Sequence, residues 1–112
     1  MNFQKRADER SKALHKKIAF KLRKNPALWD IPKSNIERWK LNNEQIASAI
    51  LEWENILNTK TRDQILTLLE SDSEEMIRLR SSSPFAGILN SNERNAIFDF
   101  YRLNSDWEGS LQ

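Results

Sequence analysis

Apolar residues recur along most of this chain at the three- and four-residue intervals of an amphipathic α-helix. Near the start, Leu14, Ile18 and Leu22 lie four residues apart, and mostly basic residues fill the positions between them. This spacing puts the three side chains on one face and predicts a helix from about residue 5 to Lys24. An Asn-Pro pair then ends the helix, because a residue before proline avoids the helical conformation.

The strongest helical pattern of the chain lies in residues 44–58. Its apolar positions repeat at helical spacing and are Ile46, Ile50, Trp53 and Leu57. Asn43 precedes the segment and is predicted to cap it. We expect this helix to be the centre of the fold, packed against the apolar face of the first helix and against apolar residues of the last helix.

Shorter helices are indicated by capping signals. Ser34 with Glu37, and Thr61 with Gln64, have the spacing of a capping box, in which two side chains satisfy two backbone N–H groups at a helix start. Further caps are predicted at Asn25, in the segment 71–73, at Ser83 and at Ser91.

These patterns predict an all-α fold, a compact single-domain bundle of five or six helices, several of them short. A chain of 112 residues suits one domain with one core. The sequence contains no valine, and no stretch alternates between apolar and polar residues as a half-buried strand does. We expect a helical domain over residues 1–104, followed by a polar tail, residues 105–112, that frays.

The composition excludes several kinds of site. With no cysteine, two glycines and one histidine, the chain has no disulfide, no thiolate nucleophile and no glycine-rich phosphate loop. No cofactor and no metal is therefore expected. No apolar window reaches the length of a membrane span, and the N-terminus lacks the apolar part of a secretory signal. We expect a cytoplasmic protein without membrane contact.

The net charge of +2 conceals an uneven distribution along the chain. Residues 1–40 carry a formal charge of +8, whereas residues 41–112 carry −6. Such a split suggests either an anionic partner for the first helix or charge complementarity between the two halves of the chain. A nucleic-acid partner would have its phosphates contacted by Lys12, Lys16, Lys17, Lys21, Arg23 and Lys24.

Phe20 lies on the opposite side of the first helix from the predicted core. At about 100° per residue, its side chain points nearly away from Ile18 and into the basic face. Two interpretations are open. Either a second element covers the ring, as is usual for a large apolar residue, or the ring is exposed among lysines and marks a contact surface.

Arg10 and His15 have the Arg-x4-His spacing of the ribonuclease motif in helical HEPN-type enzymes. In such a motif the arginine neutralises a phosphate while the histidine moves a proton. This sequence departs from the pattern, because serine follows the arginine and the motif lies close to the N-terminus. The alternative is a surface histidine beside the apolar face of the helix.

The segment Ser83–Leu89 reads Ser-Pro-Phe-Ala-Gly-Ile-Leu, and its serine cap, proline and glycine predict one rigid turn. Such a turn can present Phe85, together with Pro84 and Ile88, to a pocket on a partner at little cost in ordering entropy. In the alternative interpretation, Phe85, Ile88 and the neighbouring leucine pack the last helix against the bundle.

Two segments resemble a group of small, uncharacterised prokaryotic helical proteins. Those proteins pair an Ala-Leu-His-Lys-Lys-Ile-Ala helix, here Ala13–Ala19, with a Ser-Pro-Phe-Ala-Gly-x-Leu segment, here Ser83–Leu89, and then a Glu-Arg pair, here Glu93 and Arg94. They look like the antitoxin members of two-gene modules. The resemblance implies a non-catalytic protein that binds and masks or modulates a partner protein encoded nearby.

Three functions are therefore compatible with the sequence. The first is a non-catalytic, antitoxin-like or regulatory protein that binds another protein. The second is a nucleic-acid-binding protein that uses its basic N-terminal helix, and the third is a helical ribonuclease built on Arg10 and His15.

Overall fold

The computed structural model describes the backbone of residues 3–42 and 47–111, and the side chains of residues 5–42 and 47–102. Within these ranges there are six α-helices, one 3-10 helix and no strand, so the all-α prediction is confirmed. The helices are α1 (Phe3–Lys24), the 3-10 helix (Pro26–Trp29), α2 (Asp30–Asn42), α3 (Ser48–Thr59), α4 (Arg62–Leu69), α5 (Glu74–Arg80) and α6 (Ser91–Leu111).

The first connection is shorter than the sequence predicts. Asn25 caps the 3-10 helix as expected, because its side chain accepts a hydrogen bond from the Ala27 N–H. The predicted helix start at Ser34 is wrong, since α2 already begins at Asp30. Pro32 is compatible with the earlier start, because the first N–H groups of a helix have no intrahelical acceptor and a proline there removes nothing needed.

The caps of α4 and α5 are as predicted. Thr61 and Gln64 make both hydrogen bonds of a capping box at the start of α4. The Ser73 side chain caps α5 by accepting from a first-turn N–H. The predicted cap Asn43 and the apolar residue Ile46 lie outside the described residues.

The last helix is capped one residue earlier than predicted. The Asn90 side chain accepts from the Glu93 N–H, and the Glu93 carboxylate accepts from the Asn90 N–H, at 2.8 and 2.9 Å. Asn90 therefore takes the capping role that the sequence assigned to Ser91. The helix continues to Leu111, which places most of the predicted tail 105–112 in helical backbone. The side chains of that tail lie outside the described residues, and its fraying stays a prediction.

Helix α1, rather than α3, is the centre of the bundle. It packs against the 3-10 helix, α4, α5 and α6, whereas α3 packs mainly against α2. The prediction that the helix in residues 44–58 is central is therefore wrong. The physical reason is position in the bundle and not length alone: α6 spans 21 residues but packs mainly against α1, whereas four elements pack around α1.

The buried apolar side chains form one cluster, to which α1 contributes Ile18, Ala19 and Leu22. Among the described residues, α6 adds no fully buried side chain to this cluster. It is joined to α1 by the Tyr101 hydroxyl, which donates to the Glu9 carbonyl at 3.2 Å. No helix in the described part of the chain is long and apolar enough to cross a membrane.

Candidate functional site

Phe20 is an exposed aromatic residue on α1, with 46% of its surface open to solvent. The ammonium groups of Lys17 and Lys24 lie 5.0 and 4.5 Å from its ring centroid. The three residues occur one turn apart on the same helix face. The interpretation in which a second element covers Phe20 is therefore wrong, and the ring lies among lysines at the surface. We call Lys16, Lys17, Phe20 and Lys24 the Phe20 surface.

The two lysines contact the ring in the manner of cation–π pairs. Each ammonium is attracted by the negative face of the aromatic ring, with about 0.5–1 kcal/mol per exposed pair. These contacts hold the lysine side chains over Phe20 and reduce the number of conformations that they sample. The result is a partly ordered surface with an apolar centre and a positively charged rim.

Ion pairs connect the flanks of α1 to the acidic second half of the chain. Their partners lie directly after α4, in the segment before α5 and at the start of α6. The pairs are Lys12 with Asp72, Lys21 with Glu93 at 2.7 Å and Arg23 with Glu70 at 2.9 Å. Hydrogen bonds from Lys12 and Lys21 hold the pKa values of Asp72 and Glu93 below their ordinary values. The charge asymmetry of the sequence is thus partly balanced within the molecule.

These ion pairs divide the six basic residues predicted to contact nucleic acid. Lys12, Lys21 and Arg23 are paired with carboxylates of the same chain. Lys16 and Lys24 are exposed, and they lie with the half-buried Lys17 on the solvent side of α1. Three of the six residues predicted to contact phosphates therefore already form ion pairs with carboxylates of the same chain.

The turn predicted to dock onto a partner is buried instead. Pro84, Phe85 and Ile88 are all buried, and Phe85 is only 1% exposed. The Phe85 ring packs edge-to-face against Trp53, with centroids 5.5 Å apart. The assignment of Pro84, Phe85 and Ile88 as partner-binding residues is therefore wrong in this fold. The physical reason is that the turn packs its apolar residues inward and exposes Ala86 and Gly87.

Asn35 is a residue that the sequence analysis did not single out, and it holds this turn in place. Its side-chain amide is buried and donates to the carbonyl oxygens of Pro84 and Ala86 at 2.8 and 2.9 Å. Its own carbonyl oxygen accepts from Arg38. The only available signal was an asparagine within an otherwise amphipathic helix, where this residue type has weak helix propensity.

His15 is buried, with 4% of its surface exposed, and both ring nitrogens have hydrogen-bond partners. Nδ1 lies 2.7 Å from the Ser11 carbonyl oxygen, which can only accept, so Nδ1 carries the proton. Nε2 then accepts from the Ser83 hydroxyl at 2.8 Å. Burial lowers the pKa of His15 to about 4, so the ring is neutral at pH 7.

The structure does not bring Arg10 and His15 to a common site. The Arg10 guanidinium lies over the Phe98 ring, 4.5 Å from its centroid, on the α6 side of α1. The His15 ring is turned toward Ser83 and packs edge-to-face with Phe85. A neutral, fully hydrogen-bonded imidazole anchors the turn, which is the structural role of a buried histidine.

The described residues contain no group of three or more potential metal ligands. The chain matches no protein-family model, no curated protein and no solved structure. The evidence for its function is therefore the chemistry of its own surface. The two segments that carry the antitoxin-like resemblance, Ala13–Ala19 and Ser83–Leu89, contact each other through His15 and Ser83. Most of the large side chains in the two segments are buried. Phe20 directly follows the first segment and belongs to neither of them.

Proposed function

We propose that this protein is a non-catalytic binding protein whose Phe20 surface contacts an acidic face of a partner protein. The observation that supports the proposal is the exposure of Phe20 between Lys17 and Lys24. Aromatic residues are enriched at the centres of protein interfaces, where a polar rim surrounds them. Burying the exposed part of this ring would stabilise a complex, and the lysines would favour carboxylates over other partners.

A protein partner fits the Phe20 surface better than a nucleic acid does. Single-stranded nucleic acids stack their bases on aromatic faces. In this protein the ammonium groups of Lys17 and Lys24 already contact the Phe20 ring. Three further cations of the same helix are engaged with carboxylates, which lowers the number of phosphates that α1 can contact.

The antitoxin-like role is part of this proposal and rests on the resemblance of the two segments. In that role the protein acts in the cytoplasm and masks or modulates a partner encoded nearby. Because the resembling segments pack against each other, they support a shared fold rather than a shared contact surface. The partner would then be recognised by exposed residues, and Phe20 is a large exposed aromatic residue on α1.

The test is a binding measurement with the purified product of the adjacent gene. We expect Phe20→Ser to weaken the complex at least about tenfold, because truncation of a central interface aromatic typically costs more than 1 kcal/mol. Phe100→Ser is the matched control, since Phe100 is also exposed, at 58%, but lies on α6. Equal effects of the two substitutions, or no complex with the wild-type protein, would contradict the proposal.

A charge-reversal series separates a protein partner from a nucleic acid. Lys17→Glu and Lys24→Glu should weaken the protein complex, and Lys60→Glu, an exposed lysine after α3, should leave it unchanged. The same variants are titrated with single-stranded RNA and DNA at low salt. Tight RNA or DNA binding that Lys17→Glu abolishes would overturn the protein-partner proposal in favour of the nucleic-acid alternative.

A further inference from the structure

We propose that a cavity between α1 and the Ser83–Leu89 turn binds a small apolar molecule that carries one carboxylate. The cavity has a volume of about 220 Å³ and is separate from the Phe20 surface. Its apolar walls include Leu14 and Ile18 of α1 together with Phe85 and Leu89 of the turn. Arg94, near the start of α6, supplies a positive charge to its lining.

The volume defines the size of the ligand. An apolar cavity of about 150 Å³ is large enough to hold benzene. At about 220 Å³, this cavity can hold one aromatic ring with a short side chain, or a short alkyl chain of similar size. Drug-sized ligands need cavities of roughly 300 Å³ or more, so larger molecules would extend out of it.

Two of the polar groups in the cavity wall are already satisfied. His15 Nε2 accepts from the Ser83 hydroxyl, and the oxygen of that hydroxyl also accepts from the Phe85 N–H at 3.2 Å. Burial keeps His15 uncharged at neutral pH. His15 and Ser83 are hydrogen-bonded to each other. They therefore form an uncharged part of the cavity wall and provide no positive charge with which a carboxylate could pair.

The positive charge in the cavity lining comes from Arg94, which shares an aromatic ring with a second arginine outside the lining. The guanidinium carbons of Arg10 and Arg94 lie 4.5 and 5.9 Å from the centroid of Phe98. Arg10 does not line the cavity, so Arg94 is the residue that would contact a ligand there. Among the described residues, no carboxylate forms an ion pair with either arginine.

The neighbouring acidic residue does not form an ion pair with Arg94. Glu93 precedes Arg94 in sequence, but its carboxylate accepts from Lys21 and from the Asn90 N–H. Among the described residues the Arg94 guanidinium therefore has no ion-pair partner, and an anion in the cavity would supply one. A carboxylate suits the site, because guanidinium groups bind carboxylates with paired hydrogen bonds. An apolar body on that carboxylate would fill the cavity.

The experiment is a titration of the isolated protein with 3-phenylpropionate, followed by amide chemical shifts and by calorimetry. We expect saturable binding below about 5 mM, with the largest shift changes at Leu14, Ala86 and Leu89 rather than around Phe20. The neutral amide of the same acid should bind at least about tenfold more weakly, because it lacks the charge that the Arg94 guanidinium recognises.

Arginine variants test the assignment of the charge. Arg94→Gln should raise the dissociation constant for 3-phenylpropionate about tenfold and leave binding of the neutral amide unchanged. Arg102→Gln is the matched control, since Arg102 is an exposed arginine on the same helix that pairs with Asp99. The proposal is overturned if binding does not saturate, if acid and amide bind equally, or if Arg94→Gln and Arg102→Gln have equal effects. None of these outcomes depends on a partner protein, so they are independent of the proposed function.

Discussion

Phe85 and Phe20 lie on opposite sides of α1, and their surroundings differ completely. Phe85 is 1% exposed, with its ring packed edge-to-face against Trp53 and His15. Phe20 is 46% exposed. Among the described residues, its ring forms cation–π contacts with Lys17 and Lys24 and no contact with another aromatic ring. The same residue type therefore stabilises the fold in one place and is available for binding in the other. The packing element next to each ring, rather than the residue type, therefore decides whether the ring is buried or exposed.

The largest expected effect is the difference in unfolding free energy between a variant that lacks the Phe85 ring and one that lacks the Phe20 ring. Phe85→Ala removes a fully buried ring and leaves a cavity beside Trp53, which should lower the free energy of unfolding by about 3–5 kcal/mol. Phe20→Ala should lower it by at most about 1–2 kcal/mol, because the exposed ring loses only its two cation–π pairs. Urea denaturation followed by tryptophan fluorescence measures both. Similar losses in the two variants would mean that Phe20 is covered in the folded protein.

Acid should lower the free energy of unfolding, because His15 is buried on the side of α1 that faces Phe85. Burial lowers the pKa of His15 from 6.5 to about 4 in the folded state, so the unfolded chain binds the proton more tightly between these values. Stability is therefore complete above pH 6.5 and falls as the pH drops toward 4, by about 3 kcal/mol in total. Below pH 4 both states are protonated and this contribution stops changing.

His15→Gln is the control for that pH dependence. The variant loses stability at all pH values, since glutamine does not reproduce both hydrogen bonds of the ring. Its unfolding free energy should nevertheless vary little between pH 6.5 and 4.5, because the titrating group is absent. Glu52, Asp72 and Glu93 have pKa values below their ordinary values, so their contribution to stability is lost mainly below this range. An unchanged slope in His15→Gln would therefore mean that a group other than His15 causes the pH dependence.

Local patterns in the sequence were sufficient for the helices and several of their caps. The cap at Thr61 follows from Gln64 three residues away, and the cap of α5 falls at Ser73, within the predicted segment 71–73. The start of α2 was misplaced, because a proline in the first turn resembles a helix stop when only the sequence is read. Local sequence rules therefore predict the individual helices more accurately than they predict the boundary between two consecutive helices.

The candidate site could not be predicted from local patterns, because it depends on which helix faces pack against each other in the fold. Nothing near Phe20 in the sequence shows that no helix covers it, and nothing near Phe85 shows that Trp53 packs on it. Asn35 binds carbonyl groups about fifty residues further along the chain, so no local spacing could have revealed it. Charge was more informative, since the acidic second half did supply partners for α1.

A smaller effect is expected from Asn35, which fixes the backbone around Phe85. Asn35→Ala removes three hydrogen bonds and leaves the Pro84 and Ala86 carbonyls without their amide donor, which should lower the unfolding free energy by about 2 kcal/mol. Asn58→Ala, at an exposed asparagine of α3, is the control and should have little effect. If both variants were equally stable, the turn would be held by the packing of Phe85 alone.

The smallest effect concerns the flank of α1 between the two rings, where Arg23 pairs with Glu70 at 2.9 Å. Arg23→Gln should lower the unfolding free energy by about 0.2–1 kcal/mol at low salt, and the loss should shrink as salt screens the pair. A double-mutant cycle with Glu70→Gln isolates the interaction from other effects of each substitution. A coupling energy that is zero at low salt would mean that the basic flank is not neutralised internally. Arg23 would then be available to an anionic partner, and the nucleic-acid alternative would gain a phosphate contact next to Phe20.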